Sequence, residues 1–130
     1  MLSTSHIVAF IPTADSQRAR SFYEDTLGLR FISDDAFALV LDANGTMIRI
    51  TKLKEFIPAQ YTILGWDVSG IEEVAAHLSG KGVRFERYEW IEQDKLGIWT
   101  APGGARIAWF KDRDGNVLSI SEHTRSTEKP

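Results

Sequence analysis

Residues 22–29 read FYEDTLGL, a stretch that ends an amphipathic helix at a glycine and then returns to β-prone chain. Asp15 is the predicted N-cap of a helix over Ser16 to Thr26, because its carboxylate can accept a hydrogen bond from the first helical turn. Gly28 suits the left-handed residue that ends such a helix. Leu29 to Ile32 is predicted as the next strand. This unit of helix, glycine and strand indicates an α+β fold.

The same unit recurs in the second half of the chain. Gly82 lies 54 positions after Gly28, and Phe85 lies 54 positions after Phe31. A repeat at a fixed spacing predicts two copies of one supersecondary unit. The alternative is that two similar α+β halves arise from composition by chance.

Each copy is predicted as a βαβββ module, with a strand before its helix and strands after it. In the first module the strands are predicted at residues 7–11, 29–32, 37–41 and 46–51. The second holds a helix at 71–78 and strand-forming runs at 61–67, 83–85, 97–101, 106–111 and 117–121.

The whole chain of 130 residues is predicted as a single domain. It comprises module one (about 6–52), a linker (53–60), module two (about 61–123) and a frayed polar tail (124–130).

Composition and charge argue against several classes of partner. The formal net charge of −3 gives no basic surface for nucleic acid. The chain has no cysteine, which excludes disulfides and thiolate metal sites. We find no apolar run of membrane length and no signal peptide, so we expect no membrane partner and a cytoplasmic location.

Two motifs and the tandem module resemble the vicinal oxygen chelate superfamily, which includes glyoxalase I, extradiol dioxygenases and bleomycin-resistance proteins. FYEDTLGL (22–29) is similar to that family's FY-x-x-x-LGL helix end. DRDGN (112–116) is similar to its DPDGN turn, with Arg113 where proline usually stands. The resemblance covers about residues 6 to 123. It implies that each module's sheet curves into a half-barrel and that the pair forms a cup.

In the family's metal enzymes, the resemblance implies four ligands on strand positions that face the cup, usually histidine or glutamine and glutamate. Carried over to this chain, those positions fall on Val8, Arg49, Ile63 and Ser119. An arginine repels a cation, and neither Val8 nor Ile63 can ligate one. A slip of two positions on the first strand would bring in His6, which still makes no metal site. The sequence therefore predicts neither a metal nor another cofactor.

Strand alternation predicts which other side chains share the cup with these positions. We call the predicted ligand-binding set the cup positions: Val8, Met47, Arg49, Tyr61, Ile63, Ile107, Trp109, Ser119 and Ser121. They give an apolar and aromatic surface with one cation and some hydroxyls, the usual composition of a small-molecule site.

Three of the side chains are also candidates for catalysis. Arg49 can receive a carboxylate, phosphate or polarised carbonyl of a ligand; alternatively it pairs internally with an acidic residue (Asp42, Glu86 or Glu89) or reaches solvent. His6 can act as a general base, or it is a histidine at a strand end bonded to backbone. Tyr61 can contact a ligand, or it is a core tyrosine with a satisfied hydroxyl.

The tryptophans fall into different predicted environments. Trp66 is expected in the layer between sheet and helix, and Trp109 in the cup. Trp99 fits either the pocket or a dimer interface. Trp90 lies in a polar stretch, residues 88–94, that reads as an ordinary surface loop or as a lid. His123 is expected to be a plain surface residue.

These residues favour a metal-independent protein that binds a small organic molecule with an apolar or aromatic body and an anionic or carbonyl group. The first alternative is a metal-free lyase or isomerase in which Arg49 stabilises an oxyanion. A metal-dependent glyoxalase or dioxygenase is less favoured, because the ligands are missing. Whether the protein is an enzyme stays open. The resemblance also implies a homodimer.

Overall fold

A computed structural model of the chain describes residues 1–123, so the predicted frayed tail lies outside the described residues. The chain divides into two compact units. The first comprises Met1–Pro58 and the turn Asp112–Asn116, and the second comprises Ala59–Lys111 and the residues from Val117 onward.

Module one begins with a 3-10 turn at Leu2–Thr4, which is followed by the strand β1. Its regular elements are β1 (Val8–Thr13), α1 (Ser16–Arg20), a π-helical continuation (Ser21–Thr26), β2 (Arg30–Asp34), β3 (Ala38–Ala43) and β4 (Thr46–Lys52). They form a four-stranded sheet in the order β1-β4-β3-β2, with β1 parallel to β4 and the other pairs antiparallel.

The first helix has the predicted extent but a different second half. Asp15 caps it as expected, since its side chain accepts a hydrogen bond from the Arg18 amide at 3.2 Å. From Ser21 onward the turns are π-helical. Gly28 has a φ of 81°, the left-handed conformation predicted for the residue that ends the helix.

Module two contains β5 (Thr62–Asp67), α2 (Ile71–Gly80), β6 (Trp99–Thr100), β7 (Arg106–Lys111) and β8 (Val117–Glu122). Its sheet order is β5-β8-β7-β6, which repeats the order of module one. Helix α2 packs on β7 and β8. The two sheets thus confirm the prediction of two βαβββ modules.

The predicted strand at residues 83–85 is wrong. Phe85 makes a single antiparallel bridge to Phe110, and their rings lie 5.7 Å apart. The chain then leaves the sheet and returns as β6, where Trp99 pairs with Ile107. One edge of β7 is therefore shared by Phe85 and β6, and neither stretch alone forms a long strand.

Burial alternates along β4 and β7 and indicates one core-facing side for each sheet, whereas β3 and β8 are each buried at four consecutive positions. On β4, Ile48 and Ile50 are buried, whereas Met47 is 42% exposed. On β7, Ala108 and Phe110 are buried, whereas Ile107 and Trp109 are only half-buried. We call the opposite side of each sheet its open face. Within residues 1–123, no helix is long and apolar enough to cross a membrane.

The turn at Asp112–Asn116 is held against module one by a buried carboxylate. Asp112 is 7% exposed, and its Oδ2 accepts hydrogen bonds from the Tyr23 hydroxyl (2.6 Å) and the Asn116 Nδ2 (2.8 Å). Its Oδ1 accepts from the backbone amides of Asp114 and Asn116, each at 2.9 Å. A buried carboxylate with four donors avoids the cost of an unpaired charge.

We expect Tyr23→Phe to lower the free energy of unfolding by about 1–3 kcal/mol, because it removes one donor from the buried Asp112 carboxylate. Burial, followed by the charge and the hydrogen bond of Asp112, raises the pKa of Tyr23 above its ordinary 10.0. A raised pKa stabilises the fold below pH 10, and that contribution is lost as the pH rises further. Chemical denaturation from pH 7 to 11 should therefore show a steeper alkaline loss for the wild type than for Tyr23→Phe.

Tyr88→Phe is the matched control, because the Tyr88 hydroxyl has no hydrogen bond among the described residues. At pH 7, where both tyrosines are neutral, this change should leave stability within about 0.5 kcal/mol of the wild type. Equal effects of the two substitutions would contradict the role of the Asp112 carboxylate.

Candidate functional site

The open face of module one carries the predicted cup positions of β1 and β4. Val8 pairs with Met47 and Phe10 pairs with Arg49 across the parallel ladder. On the other side of β4, Val40 of β3 is the neighbour of Arg49. Val8 is 40% exposed and Phe10 is 64% exposed, so this face presents apolar side chains around one guanidinium.

Arg49 is half-buried and makes no ion pair among residues 1–123. Of its predicted acidic partners, Asp42 lies 3.8 Å from Arg30, and Glu86 lies 3.9 Å from Lys111. The alternative in which Arg49 pairs internally with Asp42 is therefore wrong for the described residues, in which the Asp42 carboxylate lies near Arg30 instead.

The charge of Arg49 is still felt by a carboxylate of the same module. The pKa of Asp35 is held below its ordinary value chiefly by hydrogen bonds from the Phe37 and Ala38 amides, and in smaller part by Arg49 and Lys52. Lys52 is itself bonded to the Asp34 carboxylate at 2.5 Å and to the Asp35 carbonyl. Asp35 is thus hydrogen-bonded chiefly to backbone amides, and the Arg49 guanidinium has no hydrogen bond within residues 1–123.

The two other catalytic candidates lie outside the strands. His6 is exposed and precedes β1, and it has no hydrogen bond within the part of the chain that the structure describes. Tyr61 is 71% exposed and precedes β5, so its interpretation as a core tyrosine is wrong.

The first strand of module two departs from simple alternation. The ladder between β5 and β8 shifts register between Thr62 and Leu64, which leaves Ile63 in the bulge. Beyond the bulge, Gly65 pairs with Ser119 and Trp66 pairs with Ile120. The alternation predicted for Tyr61 and Ile63 is therefore interrupted, because a bulge inserts one extra residue.

Trp66 lies in the environment that was predicted for it. Its ring stacks on Phe110 with centroids 6.5 Å apart, and Phe110 is fully buried. Trp66 and its ladder neighbour Ile120 are therefore on the core side of the sheet.

The remaining cup positions of module two share its open face. Trp109 pairs with Ser119, and Ile107 pairs with Ser121. A Cβ on Gly65 would lie 2.6 Å from the Ser119 Oγ. Glycine at position 65 is therefore what allows the Ser119 hydroxyl to lie close over β5.

Four aromatic rings form a continuous cluster on module two, which we call the aromatic cluster. Tyr88 stacks on Trp90 at 4.9 Å and meets the edge of Trp109 at 5.6 Å, and Trp99 lies 6.0 Å from Trp109. Trp90 is 77% exposed, so the end of the cluster is open to solvent. Sequence analysis missed Tyr88, although the aromatic pair at positions 88 and 90 was a signal.

The loop that carries Tyr88 and Trp90 is fastened by one glutamine. The Gln93 Nε2 donates to the carbonyls of Glu86 and Gly97, both at 2.9 Å, and its Oε1 accepts from the Tyr88 amide at 2.8 Å. All three bonds are to backbone, so they fix the course of the loop. Gln93 was not recognised in the sequence, because a single polar residue in a polar loop carries no pattern.

The end of β8 brings together two side chains that the sequence analysis had kept apart. The Ser121 Oγ lies 3.0 Å from the His123 Nε2. His123 is exposed, as expected, but it is hydrogen-bonded to a cup position rather than standing alone.

By the family resemblance the metal ligands would fall on Val8, Arg49, Ile63 and Ser119, and these side chains do not suit a divalent cation. Among residues 1–123, no three histidine, cysteine, aspartate or glutamate side chains form a group that could hold a metal ion. The described residues thus do not fit the metal that the family resemblance brings to mind.

Comparison with known proteins agrees with the fold and with the motifs. Solved structures with similar folds include a superfamily member from Sphaerobacter thermophilus (TM-score 0.74, 23% identity, 95% of this chain and 100% of that chain). A bleomycin resistance determinant encoded on transposon Tn5 has a TM-score of 0.73 at 16% identity, covering 94% of this chain and 100% of that chain. Lactoylglutathione lyase from Agrobacterium tumefaciens has a TM-score of 0.69 at 14% identity, covering 92% of this chain and 93% of that chain.

No curated protein sequence matches the chain significantly. The family profile described as Glyoxalase/Bleomycin resistance protein/Dioxygenase superfamily matches residues 4–120, which is most of the chain. Together with the two βαβββ modules, this match assigns the family: the chain belongs to the glyoxalase/bleomycin resistance protein/dioxygenase superfamily.

Proposed function

We propose that this protein binds a small organic molecule at its cup positions without a metal ion. The observation that carries the proposal is Arg49, a half-buried guanidinium among apolar side chains with no carboxylate partner in the described residues. Such a group is costly to leave without a partner, and a ligand with an anionic group or a polarised carbonyl would supply one.

The aromatic cluster is the observation that favours a ligand with an apolar or aromatic body. Trp109 is half-buried on the open face of module two, beside Ser119 on the ladder. Aromatic rings offer large contact areas, and hydroxyl groups fix the orientation of a bound molecule. Ser119 and Ser121 provide such hydroxyls.

The side chains at the four positions that the family resemblance assigns to metal ligands support a function without a metal ion. Hard divalent ions prefer carboxylate, carbonyl or imidazole ligands, and Arg49 and Ile63 offer none of these. The structural relatives include both a lyase and a resistance determinant, so their shared fold does not choose between catalysis and binding. The choice therefore rests on the residues of this chain.

A metal-free lyase or isomerase is the second candidate, and one observation favours it. The contact between Ser121 and His123 pairs a hydroxyl with an imidazole, the side chain that most often serves as a general acid or base. In that case Arg49 would stabilise the oxyanion. A loss of turnover in Arg49→Ala that exceeds its loss of affinity would favour this candidate over pure binding.

We expect Arg49→Ala to abolish the preference of the protein for an anionic aromatic ligand. The probes are 1-naphthoate and its neutral analogue 1-naphthamide, titrated by quenching of tryptophan fluorescence. The wild type should bind the carboxylate at least about tenfold more tightly than the amide, because a charge-assisted hydrogen bond contributes about 1.5–3 kcal/mol.

Arg20→Ala is the control for this measurement, since it removes an arginine of module one that is already paired with Glu24. It should keep the preference for naphthoate. If Arg49→Ala keeps it too, Arg49 is not the anion-binding group. If the wild type binds neither probe, the proposed class of ligand is wrong.

We also propose that the chain forms a homodimer, as the family resemblance implies. Large exposed apolar side chains on module one, such as Phe10 (64%) and Phe37 (77%), support an interface with a second copy. The cytoplasmic location stays a prediction from the sequence.

Light scattering coupled to size-exclusion chromatography should give twice the 14.6 kDa mass of the chain. Replacing Phe10 by Ser should shift the protein toward monomer, because it removes exposed apolar area. A monomeric wild type at tens of micromolar would contradict the dimer.

A further inference from the structure

A cleft on module one lies beside the first turns of its helix and the Asp112–Asn116 turn. Its volume is about 420 Å³, and it is lined by Gln17, Arg18, Ser21 and Arg113. The lining consists of two guanidinium groups, an amide and a hydroxyl, and all four can donate hydrogen bonds. None of these residues is a cup position.

Both arginines are oriented by contacts that leave their charges in place. The Arg18 Nη2 donates to the Arg113 carbonyl at 3.1 Å. The Arg113 guanidinium lies 5.8 Å from the centroid of the Phe22 ring. A carbonyl and an aromatic ring hold a guanidinium in position without neutralising it.

The carboxylates nearest to these arginines in the sequence are engaged by other donors. The Asp15 Oδ1 accepts from the Arg18 backbone amide. Asp114 accepts from the Thr13 hydroxyl at 2.6 Å and from the Ala14 amide at 2.9 Å. The Asp112 carboxylate is buried beneath the turn with four donors of its own.

Other basic side chains of module one do find acidic partners. Arg20 lies 2.8 Å from Glu24, and Lys52 is paired with Asp34. Arg18 and Arg113, by contrast, make no ion pair among residues 1–123. Two like charges held at one cleft repel each other, and an anion between them would relieve that repulsion.

We propose that this cleft is a binding site for an oxyanion, with the phosphate group of a small soluble molecule as the ligand. Arg18 and Arg113 supply the charge, because a guanidinium matches phosphate oxygens with two parallel hydrogen bonds. Ser21 and Gln17 donate to the remaining oxygens. The site is a property of this chain, since Arg113 stands where the family motif has an uncharged proline.

Inorganic phosphate is the probe that tests the proposal directly. ¹⁵N-labelled protein is titrated at constant pH, with sodium chloride adjusted so that ionic strength does not change. The amide signals of Gln17, Arg18, Ser21 and Arg113 should shift and saturate, with a Kd on the order of 1 mM.

The variants Arg113→Pro and Arg18→Ala should each raise that Kd by roughly tenfold or more, through loss of a charge-assisted hydrogen bond. Arg113→Pro restores the residue usual in the family motif; Arg113→Gln replaces it if the proline variant gives a poorly dispersed spectrum. Arg30→Ala, which removes one arginine elsewhere on module one, should leave the Kd unchanged.

Shifts that rise linearly with phosphate would overturn the proposal, as would equal shifts with chloride alone. An unchanged Kd in both Arg113 variants would overturn it as well. The outcome is independent of the cup positions, because the naphthoate titration reports on Arg49 and not on this cleft.

Discussion

The Asp112 carboxylate is the interaction on which the architecture of module one depends. It lies beneath the Asp112–Asn116 turn and is satisfied by the Tyr23 hydroxyl, the Asn116 side chain and two backbone amides. The Asn116 Nδ2 also donates to the Pro12 carbonyl, so the same turn is bonded to both the helix and β1. Tyr23 is fully buried, so water cannot replace the hydrogen bond between its hydroxyl and the Asp112 carboxylate. Removal of either group would leave the other with a buried polar atom that lacks this bond. The two motifs of the sequence, although 90 residues apart, are thus one structural device.

Successive residues of a strand point to opposite sides of its sheet, so the side chains that stabilise the core are distinct from those on the open face. On β4, Ile48 and Ile50 point to the core, and the alternate residues Met47 and Arg49 lie on the open face. The face can therefore change its chemistry without a change of fold. In this chain the open face of module one carries Arg49, and Trp109 of the aromatic cluster lies on the open face of module two.

Patterns carried by local chemistry were predictable from the sequence. Asp15 as a cap, Gly28 in the left-handed region and the core position of Trp66 follow from propensity and period, which act over a few residues. Features that depend on a competing partner were not. Asp42 lies 3.8 Å from Arg30 and makes no ion pair with Arg49 among the described residues, and a bulge at Ile63 interrupts the alternation of β5. Likewise, the role of Gln93 depends on the Glu86 and Gly97 carbonyls and the Tyr88 amide, and only the fold brings these three backbone groups to its side chain.

We propose that this member of the superfamily acts without a metal ion. Native mass spectrometry tests this proposal, on protein purified without chelator and then exposed in turn to Mn²⁺, Fe²⁺, Ni²⁺ and Zn²⁺. We expect chains with no stoichiometric ion and an organic adduct that Arg49→Ala weakens. One tightly bound ion per chain would contradict it, and would mean that ligands lie outside Val8, Arg49, Ile63 and Ser119.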